Sequence, residues 1–427
     1  MDILRQPSGA KTEPDEILLH TAARAVDRCR ELAAITDVAG ETTRTFLSPA
    51  MRVAMVRVQS LMEAAGCSVT IDAAGNLRGL YAGMSDDAPR LLIGSHLDTV
   101  PNAGAFDGVL GVMIGLALVE MLQGQKLRCA VELVAFSEEE GVRFRVPFVG
   151  SRALVGRVDD ELLATVDADG VSVGEAIRGF GLDPGRMVEA RFNRAARGYL
   201  EFHIEQGPVL ESEDLSLGLV DTIAGQTRGE IVFMGTANHA GTTPMRLRRD
   251  AVAAMAEWIV EVEREARGKD GLVATVGRVV AVPGVGNVIA GEARASLDVR
   301  HANDTIRRSA VDALISKAEE IADGRGLGMA WSSSMEQRAV AMDASLTHMV
   351  ENAASAAEVA VLRMMSGAGH DAMVVAERLP TAMIFLRSPG GISHHPDELV
   401  YEGDVAKALA VGMEFLKMFD QAKDTHA

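Results

Sequence analysis

The spacing of apolar and polar positions predicts a chain in which strands and helices alternate. Residues 50–66 carry apolar side chains three and four positions apart and end in glycine, which indicates an amphipathic helix. The segments RLLIGSH (90–96) and CAVELVAFS (129–137) are rich in apolar residues and indicate buried strands, while 109–122 favours a helix between them. This alternation predicts an α/β layer with a largely parallel or mixed sheet.

A second pattern begins near residue 226 and predicts a smaller unit. Asp250 is placed to open a helix that runs to about Arg267, and Asp304 is placed to cap another. Apolar residues keep helical spacing in the second helix: Ile306, Val311, Leu314, Ile315, Ala318 and Ile321. Strands are predicted at 228–235, 271–282, 293–300 and 327–334. The order β-α-β-β-α-β is the split pattern of a ferredoxin-like layer.

The α/β pattern resumes after this unit. A strand is predicted at 381–386, followed by a final helix with one apolar face formed by Val405, Leu409, Met413, Leu416 and Phe419. We therefore expect one discontinuous α/β domain, residues 1–224 and 337–427, interrupted by an inserted domain of residues 225–336.

Composition narrows the possible partners and the compartment. The 427 residues include 60 acidic and 42 basic side chains, a net charge of −18, which argues against nucleic acid and anionic membranes as partners. Three cysteines lie far apart, so we expect no disulfide framework and a reducing compartment. The first twenty residues lack the apolar segment of a signal peptide, and the longest apolar run, Val109–Val119, is too short to cross a bilayer. These features favour a cytoplasmic protein.

The segment GSHLDTVPNAGAFDG (94–108) is the densest group of candidate functional residues. His96 ends a predicted buried strand and Asp107 precedes a predicted helix, where open α/β sheets place catalytic groups. An imidazole and a carboxylate suit a divalent ion such as Zn²⁺ or Mn²⁺, and Asp98 could accept the second imidazole N–H. The alternative is structural: a satisfied strand-end histidine and a helix-capping aspartate.

Three further segments place histidines or carboxylates in loops or at strand ends. SEEEGVRF (137–144) follows a buried strand, so one glutamate could bind metal and its neighbour act as a base, unless the three form a solvated charge run. EFHIEQGPVLE (201–211) contains His203, and NHAGTTP (238–244) contains His239. GISHHPDE (391–398) offers His394 and His395. Each histidine alone fits a surface position, but the set favours a metal-dependent site.

Together with GVGNVIAG, LDVRH and SGAGHDA, these segments stand in the order found in a known family, from about residue 20 to 420. The chain resembles the metal-dependent amidohydrolases of the hydantoinase/carbamoylase family, which include N-carbamoyl-L-amino-acid hydrolases, a type of β-ureidopropionase and allantoate amidohydrolases. The resemblance implies a two-zinc aminopeptidase-like catalytic domain with an inserted ferredoxin-like dimerisation domain. It also implies two divalent metal ions per subunit, Zn²⁺ or Mn²⁺, with Co²⁺ or Ni²⁺ as alternatives.

The resemblance assigns roles by matching motif positions. Asp107 would bridge the two ions, with His96 and His394 on one side and Glu140 and His203 on the other. Glu139 would be the general base, and Glu138 has no assigned role. The substrate would be bound by Gln206, His239, Asn287, Arg300 and Gly369. In similar enzymes the histidine at the His239 position reaches across a homodimer to stabilise the developing oxyanion, and an arginine with an asparagine can clamp a carboxylate.

The resemblance implies hydrolysis of the carbamoyl (ureido) C–N bond of a small substrate that carries a carboxylate. TRTFLSPAMR (43–52) and VTIDAAGNLRG (69–79) favour an allantoate amidohydrolase, which releases ammonia and CO₂. The alternatives are an N-carbamoyl-L-amino-acid hydrolase or β-ureidopropionase, a metallo-dipeptidase, and an inactive binding protein that would have lost a ligand or the base. Ala290, Thr227 and a slightly short loop after Asp107 depart from the family pattern and bear on the substrate.

Overall fold

A computed structural model of the protein describes residues 16–422. Most of the N-terminal segment in which we expect no signal peptide therefore lies outside the described residues. Across these residues no helix combines the length and apolar composition needed to cross a membrane. All three cysteines are buried and free of disulfides, as expected from their spacing: Cys29, Cys67 and Cys129.

The described chain divides into two compact units. The larger contains residues up to Asp221, then Met342–Met364, and residues from Gly369 onward. The smaller contains Thr222–Ala341 and Met365–Ala368, and so includes the 225–336 segment predicted from the sequence. The assignment of that segment as a dimerisation domain stays a prediction.

A mixed sheet runs through the larger unit. Its strands within residues 16–422 are ordered Ser68–Ile71, Leu77–Tyr81, Ala130–Phe136, Arg90–His96, Ala196–Ile204, Thr381–Leu386, Leu217–Ile223 and Val340–Ala341, with Val361–Ser366 also paired to Leu217–Ile223. The four strands from Ala130–Phe136 to Thr381–Leu386 in this order are parallel. The strands predicted at 90–96, 129–137 and 381–386 are thus confirmed, along with the mixed α/β fold class.

Burial accounts for the apolar sequence of the helix Val109–Met121, because every residue from Val109 to Val119 is buried. A helix that is apolar on all sides belongs in a protein interior. It packs on Arg90–His96 and Ala196–Ile204, and Gly111 permits a close approach to the carbonyl of Phe202. The approach fixes the helix, and the Asp107 loop before it, against the centre of the sheet.

The remaining helices of the larger unit complete its layers. Glu16–Ala33 and Glu402–Gln421 pack against each other and against Val109–Met121. Pro49–Ala64 matches the helix predicted at 50–66, and the final helix buries Val405, Leu409 and Leu416 as predicted. The other helices are Val149–Leu154, Asp160–Ala164, Val173–Gly179, Val209–Ser212, Ala344–Ala356 and Asp371–Val375, with 3₁₀ turns at Pro184–Ala190 and Pro389–Gly391.

The smaller unit has the strand order of a ferredoxin-like layer. Within the part of the chain that the structure describes, its antiparallel sheet runs Val279–Val282, Glu292–His301, Gly225–Met234 and Gly328–Gln337, with Val273–Thr275 also paired to Glu292–His301. The helices Ala251–Arg267 and Asp304–Arg325 pack on this sheet. A short ladder joins Asn238–His239 to Val288–Ile289, and a 3₁₀ turn spans Met245–Leu247.

Two local predictions for this unit were wrong. The single strand predicted at 271–282 is two strands, because one extra residue shifts the register between Thr275 and Val279, and the Arg278 amide donates to the Ser296 hydroxyl. The second helix is capped by Asn303 rather than Asp304: the Asn303 side chain accepts from the first helical amides. Asp304 instead pairs with Arg307 at 3.0 Å. The Asp250 cap is confirmed.

Candidate metal centre

Parallel strands of the larger unit end at one edge of the sheet, and candidate residues lie at or just after these ends. His96 is the last residue of its strand, and His203 lies one residue before the end of Ala196–Ile204. The glutamates 138–140 follow Ala130–Phe136. Carboxyl ends of parallel strands are where α/β sheets gather their functional groups. The geometry at this edge therefore defines the candidate centre.

Asp107 lies between the two strand-end histidines. Its Oδ1 is 3.3 Å from His203 Nε2 and 3.9 Å from His96 Nε2, and these two nitrogens are 3.4 Å apart. All three side chains are buried. Gly108, with φ of 67°, follows Asp107, and an added Cβ there would overlap the His96 ring. Glycine at this position therefore lets the ligand loop approach the imidazole.

Backbone carbonyls fix the tautomers of both imidazoles. His96 Nδ1 lies 3.0 Å from the Asp98 carbonyl oxygen, and His203 Nδ1 lies 2.9 Å from the Ile204 carbonyl oxygen. Because a carbonyl only accepts, each Nδ1 carries a hydrogen, and in the neutral tautomer the lone pair is on Nε2. Both lone pairs are on the side of Asp107. Metal-binding histidines are held in this way by a partner on the second ring nitrogen.

His394 and Glu140 lie on the other side of the same carboxylate. His394 Nε2 is 3.1 Å from Asp107 Oδ2 and 3.6 Å from Glu140 Oε1. This grouping differs from the one implied by the resemblance, which placed His96 with His394 and Glu140 with His203. His96 and His203 share one oxygen of Asp107 because their strands are neighbours in the sheet, whereas His394 and Glu140 come from loops.

Asp98 connects the segment of His96 to the segment of Glu139 and Glu140. Its carboxylate accepts from the backbone amide of Glu139 at 3.0 Å and from that of Glu140 at 3.0 Å. The sequence suggested that this carboxylate accepts from His96, but Asp98 Oδ1 is 3.6 Å from Nδ1, and the Asp98 carbonyl is the closer acceptor. Asp98 thus holds the segment that carries the glutamates beside the segment that carries His96.

Burial governs the electrostatics of the carboxyl groups. It holds the pKa of Glu139 well above its usual value, and the charges of Glu140 and Asp371 act in the same direction. Burial, together with the charge of Asp107, raises the pKa of Glu140 to about 7. Burial opposes ionisation of Asp107 too, but the hydrogen bond with His394 and the nearby imidazoles hold its pKa below the usual range. The same hydrogen bond raises the pKa of His394 to about 9.

The donor set fits divalent metal ions. Four overlapping groups have ligand atoms within 4.8 Å of one another: His96, Asp107 and His203; Asp107, Glu140 and His394; His96, Glu139 and Glu140; and Glu201, His203 and His370. Among residues 16–422, no lysine or arginine forms an ion pair with Asp107, Glu139 or Glu140. Carboxylates that are ionised in a buried site need positive charge nearby, which a bound divalent ion would supply. Imidazole and carboxylate donors without sulfur suit Zn²⁺, Mn²⁺ and similar ions.

Two of the predicted substrate-binding residues lie in the larger unit. Gln206, at φ of 59°, donates from Nε2 to both oxygens of Asp107 at 3.2 Å and lies 3.4 Å from His394 Nε2. Its side-chain oxygen is buried without a hydrogen-bond partner in the described structure. Gly369 lies beside Phe148, whose ring would be 3.0 Å from an added Cβ. The structure thus brings Gln206 to the candidate centre itself.

The other three belong to the smaller unit. His239 is exposed, and its Nδ1 accepts from the Gly241 amide at 3.0 Å, which leaves Nε2 as the donor of the neutral ring. Asn287 is exposed, and its carbonyl accepts from the Ala240 amide at 3.0 Å. Arg300 donates to both oxygens of Asp298 at 2.9 Å and to the Gly367 carbonyl. Its guanidinium is therefore already paired.

Sequence reasoning missed several buried polar residues at the centre. His370 forms an edge contact with His203, with ring centroids 4.4 Å apart, and Glu201 lies in the same group of possible donors. The SGAGHDA motif was the available signal for His370. Glu398 accepts from the amides of Phe106 and Asp107, and its position in GISHHPDE gave no indication of that contact.

Comparison with known proteins supports the resemblance drawn from the motifs. The family model described as peptidase family M20/M25/M40 matches residues 92–418. An allantoate deiminase 1 of Glycine max is 36% identical over 427 residues, covering 92% of this chain and 88% of the relative. An N-carbamoyl-L-amino acid amidohydrolase of Geobacillus stearothermophilus is 40% identical over 380 residues, covering 88% and 92%.

The chain is also similar to a solved structure over nearly its whole length. The crystal structure of an amidase of the hydantoinase/carbamoylase family from Burkholderia multivorans superposes with a TM-score of 0.88. It is 30% identical and covers 95% of this chain and 97% of its own. The similarity thus extends over nearly the whole of both chains, including both compact units.

Proposed function

The chain belongs to peptidase family M20/M25/M40, and from this premise we propose that it is a binuclear metal-dependent amidohydrolase. It would hydrolyse the carbamoyl (ureido) C–N bond of a small substrate that carries a carboxylate. The family is metal-dependent, and the observation that supports two ions here is the carboxylate of Asp107. One oxygen faces His96 and His203, and the other lies by His394 and Glu140.

We propose that these five residues hold the ions: His96, His203, Asp107, Glu140 and His394. Two bound divalent ions, Zn²⁺ or Mn²⁺ with Co²⁺ or Ni²⁺ as alternatives, would lower the pKa of water and polarise a carbonyl group. The tautomers of His96 and His203 suit this role, because they leave both Nε2 atoms as possible ligands on the side of Asp107. Asp98 keeps the His96 ring oriented through its carbonyl oxygen.

Glu139 would move the proton. Its carboxylate takes a proton from the water that attacks the carbamoyl carbon, and then gives that proton to the leaving nitrogen. The carbamate that is released breaks down to ammonia and CO₂. Support comes from its position, since Glu139 is buried next to Glu140 and shares a group of donors with His96. The two amides donating to Asp98 keep base and ligand side by side.

Five residues would bind the substrate. We propose that Arg300 and Asn287 bind the carboxylate, that Gln206 and Gly369 contact the substrate, and that His239 donates to the developing oxyanion. The tautomer fixed by Gly241 supports His239 as a donor from Nε2. Because Arg300 is paired with Asp298, substrate binding would share or replace that ion pair.

We further propose a homodimer formed through the smaller unit, in which His239 serves the partner's site. Its edge strand Val279–Val282 carries exposed valines, which supports pairing with a second copy. We place the enzyme in the cytoplasm, without a nucleic-acid or membrane partner. The free, buried cysteines and the acidic composition support this placement.

Allantoate is the proposed substrate, and N-carbamoyl-L-amino acids are the second candidate because relatives of both names match the chain. A panel of allantoate, N-carbamoyl-L-amino acids, N-carbamoyl-β-alanine and dipeptides, each assayed with Mn²⁺ and Zn²⁺, tests the proposal. We expect the highest kcat/KM for allantoate, with release of ammonia. Preference for a carbamoyl amino acid would replace the substrate, and hydrolysis of dipeptides alone would overturn the proposed bond class.

A further inference from the structure

Arg44 occupies an unusual position for a charged side chain. It is completely buried, and its hydrogen-bond acceptors are backbone carbonyls rather than carboxylates. Nε donates to Leu97 at 2.8 Å, and Nη1 donates to Leu32 at 2.8 Å and to Ile35 at 3.1 Å. Nη2 has no hydrogen-bond partner within the described residues. Arginine is almost never fully buried without a paired acid, so this position needs an explanation.

The main chain of Arg44 binds the same segment that its side chain binds. The Thr99 amide donates to the Arg44 carbonyl at 2.9 Å, and the Arg44 amide donates to the Thr99 hydroxyl at 2.9 Å. With the bond from Nε to Leu97, three hydrogen bonds hold the residues on either side of Asp98. Arg44 also connects this segment to the end of the helix Glu16–Ala33 through Leu32.

We call the hydrogen bonds of Arg44 with Leu97 and Thr99 the Arg44 clamp. This clamp determines the position of Asp98, which lies between those two residues. Its carbonyl orients His96, and its carboxylate accepts from the amides of Glu139 and Glu140. Burial lowers the pKa of Arg44 to about 10, while the negative charges of Asp98 and Asp37 oppose that shift. The two carboxylates thus offset part of the cost of burying the guanidinium.

We propose that Arg44 is a positioning residue for the metal centre, because it fixes the Leu97–Thr99 segment from which Asp98 orients His96 and the Glu139–Glu140 backbone. The inference rests on the proposed function for the roles of His96 and Glu139. The clamp itself involves only hydrogen bonds within the larger unit. Lysine would keep the charge, but all its donors are on one nitrogen, and it lacks the planar arrangement of donors that serves carbonyls in several directions.

Three variants and one control test this role. Arg44→Met removes all side-chain donors, Arg44→Lys keeps the charge, and Thr99→Val removes only the hydroxyl acceptor. Arg307→Met is the matched control, because Arg307 is also completely buried but pairs with Asp304 and Glu336 in the smaller unit. Hydrogen exchange by mass spectrometry on metal-free protein follows the peptides that contain Leu97–Thr99 and 137–141. Co²⁺ affinity, kcat and KM are measured alongside it.

We expect faster exchange in both peptides of Arg44→Met, and a loss of about 10–100-fold in Co²⁺ affinity and in kcat, with little change in KM. Arg44→Lys should recover part of each loss. Thr99→Val should give a smaller effect of the same kind. Arg307→Met should lower thermal stability yet keep wild-type exchange in these peptides and wild-type Co²⁺ affinity.

A folded Arg44→Met protein with wild-type exchange at 137–141 and wild-type Co²⁺ affinity would overturn the inference. If Arg44→Met does not fold, Arg44→Lys and Thr99→Val decide by the same two readouts. Should the wild-type protein bind no Co²⁺ and hydrolyse none of the panel, the proposed function fails. The exchange rates of metal-free variants then decide the positioning role alone.

Discussion

The Glu398 carboxylate accepts a hydrogen bond from the backbone amide of Asp107 at 3.0 Å, and its Oε1 also accepts from Phe106 at 2.8 Å. Glu398 follows His394 by four residues, so this contact joins the loop of one proposed ligand to the loop of the bridging one. Glu398 is buried, and Gly104 packs closely against it. Partners that hold ligand loops in this way influence metal affinity without touching the metal.

We predict that Glu398→Ala weakens metal binding by about 10–100-fold, because two buried amides lose their acceptor and the Asp107 loop is freed. Glu398→Gln keeps a carbonyl oxygen that can accept from both amides, and it should retain most of the affinity. Competition with a chromogenic chelator measures the difference. Equal affinity of Glu398→Ala and the wild type would show that the contact does not position Asp107.

Metal removal should abolish activity reversibly. The proposed ligands are imidazoles and carboxylates without thiolates, which bind borderline and hard divalent ions that chelators can extract. After dialysis against a chelator, Mn²⁺, Co²⁺ or Zn²⁺ should restore turnover, whereas Mg²⁺ alone should restore little. Metal content by atomic emission accompanies each assay. Full turnover by a sample shown to be free of metal would end the metal-dependent proposal.

Replacing each of the three adjacent glutamates should have a different effect on turnover and metal binding. Glu139→Gln keeps the shape of the side chain and removes its basicity, so turnover should fall by about 10²–10⁴-fold with metal retained. Glu140→Gln should lower metal affinity, because Glu140 Oε1 lies beside His394 Nε2. Glu138→Gln is the matched control and should stay active. An inactive Glu138→Gln beside an active Glu139→Gln would shift the assignment by one residue.

The sequence predicted what depends on local pattern. The strand Arg90–His96 has the predicted bounds, because apolar runs ending before polar loops identify buried strands. The contacts of Glu398 with Phe106 and of Arg44 with Leu97 were not predictable, since they join residues 292 and 53 positions apart and leave no local signal. The pairing of His96 with His203 depends likewise on which strands are neighbours.

The two predictions for the smaller unit were wrong because the sequence was compatible with two local structures in each case. Asn303 and Asp304 are both good caps, and only the three-dimensional path of the chain selects Asn303 and turns Asp304 towards Arg307. In the predicted strand at 271–282, Gly277 lies at the break, and glycine is compatible both with a continuous strand and with a bulge. Its interruption depends on the register against Glu292–His301, where the hydroxyl of Ser296 takes the place of a backbone partner.

Acid should weaken the smaller unit through Glu336. Hydrogen bonds from Arg307 lower the pKa of Glu336 from 4.5 to about 2, with Thr227 and Arg308 contributing. When folding lowers the pKa of a carboxyl group, the ionised group stabilises the folded protein at pH values above its unfolded-state pKa. That contribution is lost as the pH falls from about 4.5 towards 2. Because the side chain is 43% exposed, solvent and salt reduce the effect.

We therefore predict that Glu336→Gln lowers the free energy of unfolding at neutral pH and that its difference from wild type shrinks below about pH 4.5. Urea unfolding at a series of pH values measures that difference. Glu319→Gln, at an exposed position of the helix Asp304–Arg325, is the control and should show no such trend. A difference that stays constant with pH would mean that ionisation of Glu336 does not stabilise the fold.

Each active site should be shared between two subunits. If His239 donates to the oxyanion in the partner's site, each site needs two chains, and His239→Ala should lose turnover by about 10²-fold or more with metal content and assembly unchanged. Chains with His239→Ala and chains with Glu139→Gln should each be nearly inactive alone. A mixed dimer contains one site in which both His239 and Glu139 are intact, so it should recover about half of the wild-type turnover. Two different affinity tags isolate the mixed dimer, and a dimer of doubly substituted chains is the negative control. Mixed dimers that form but stay inactive would place His239 and Glu139 in the site of the same chain.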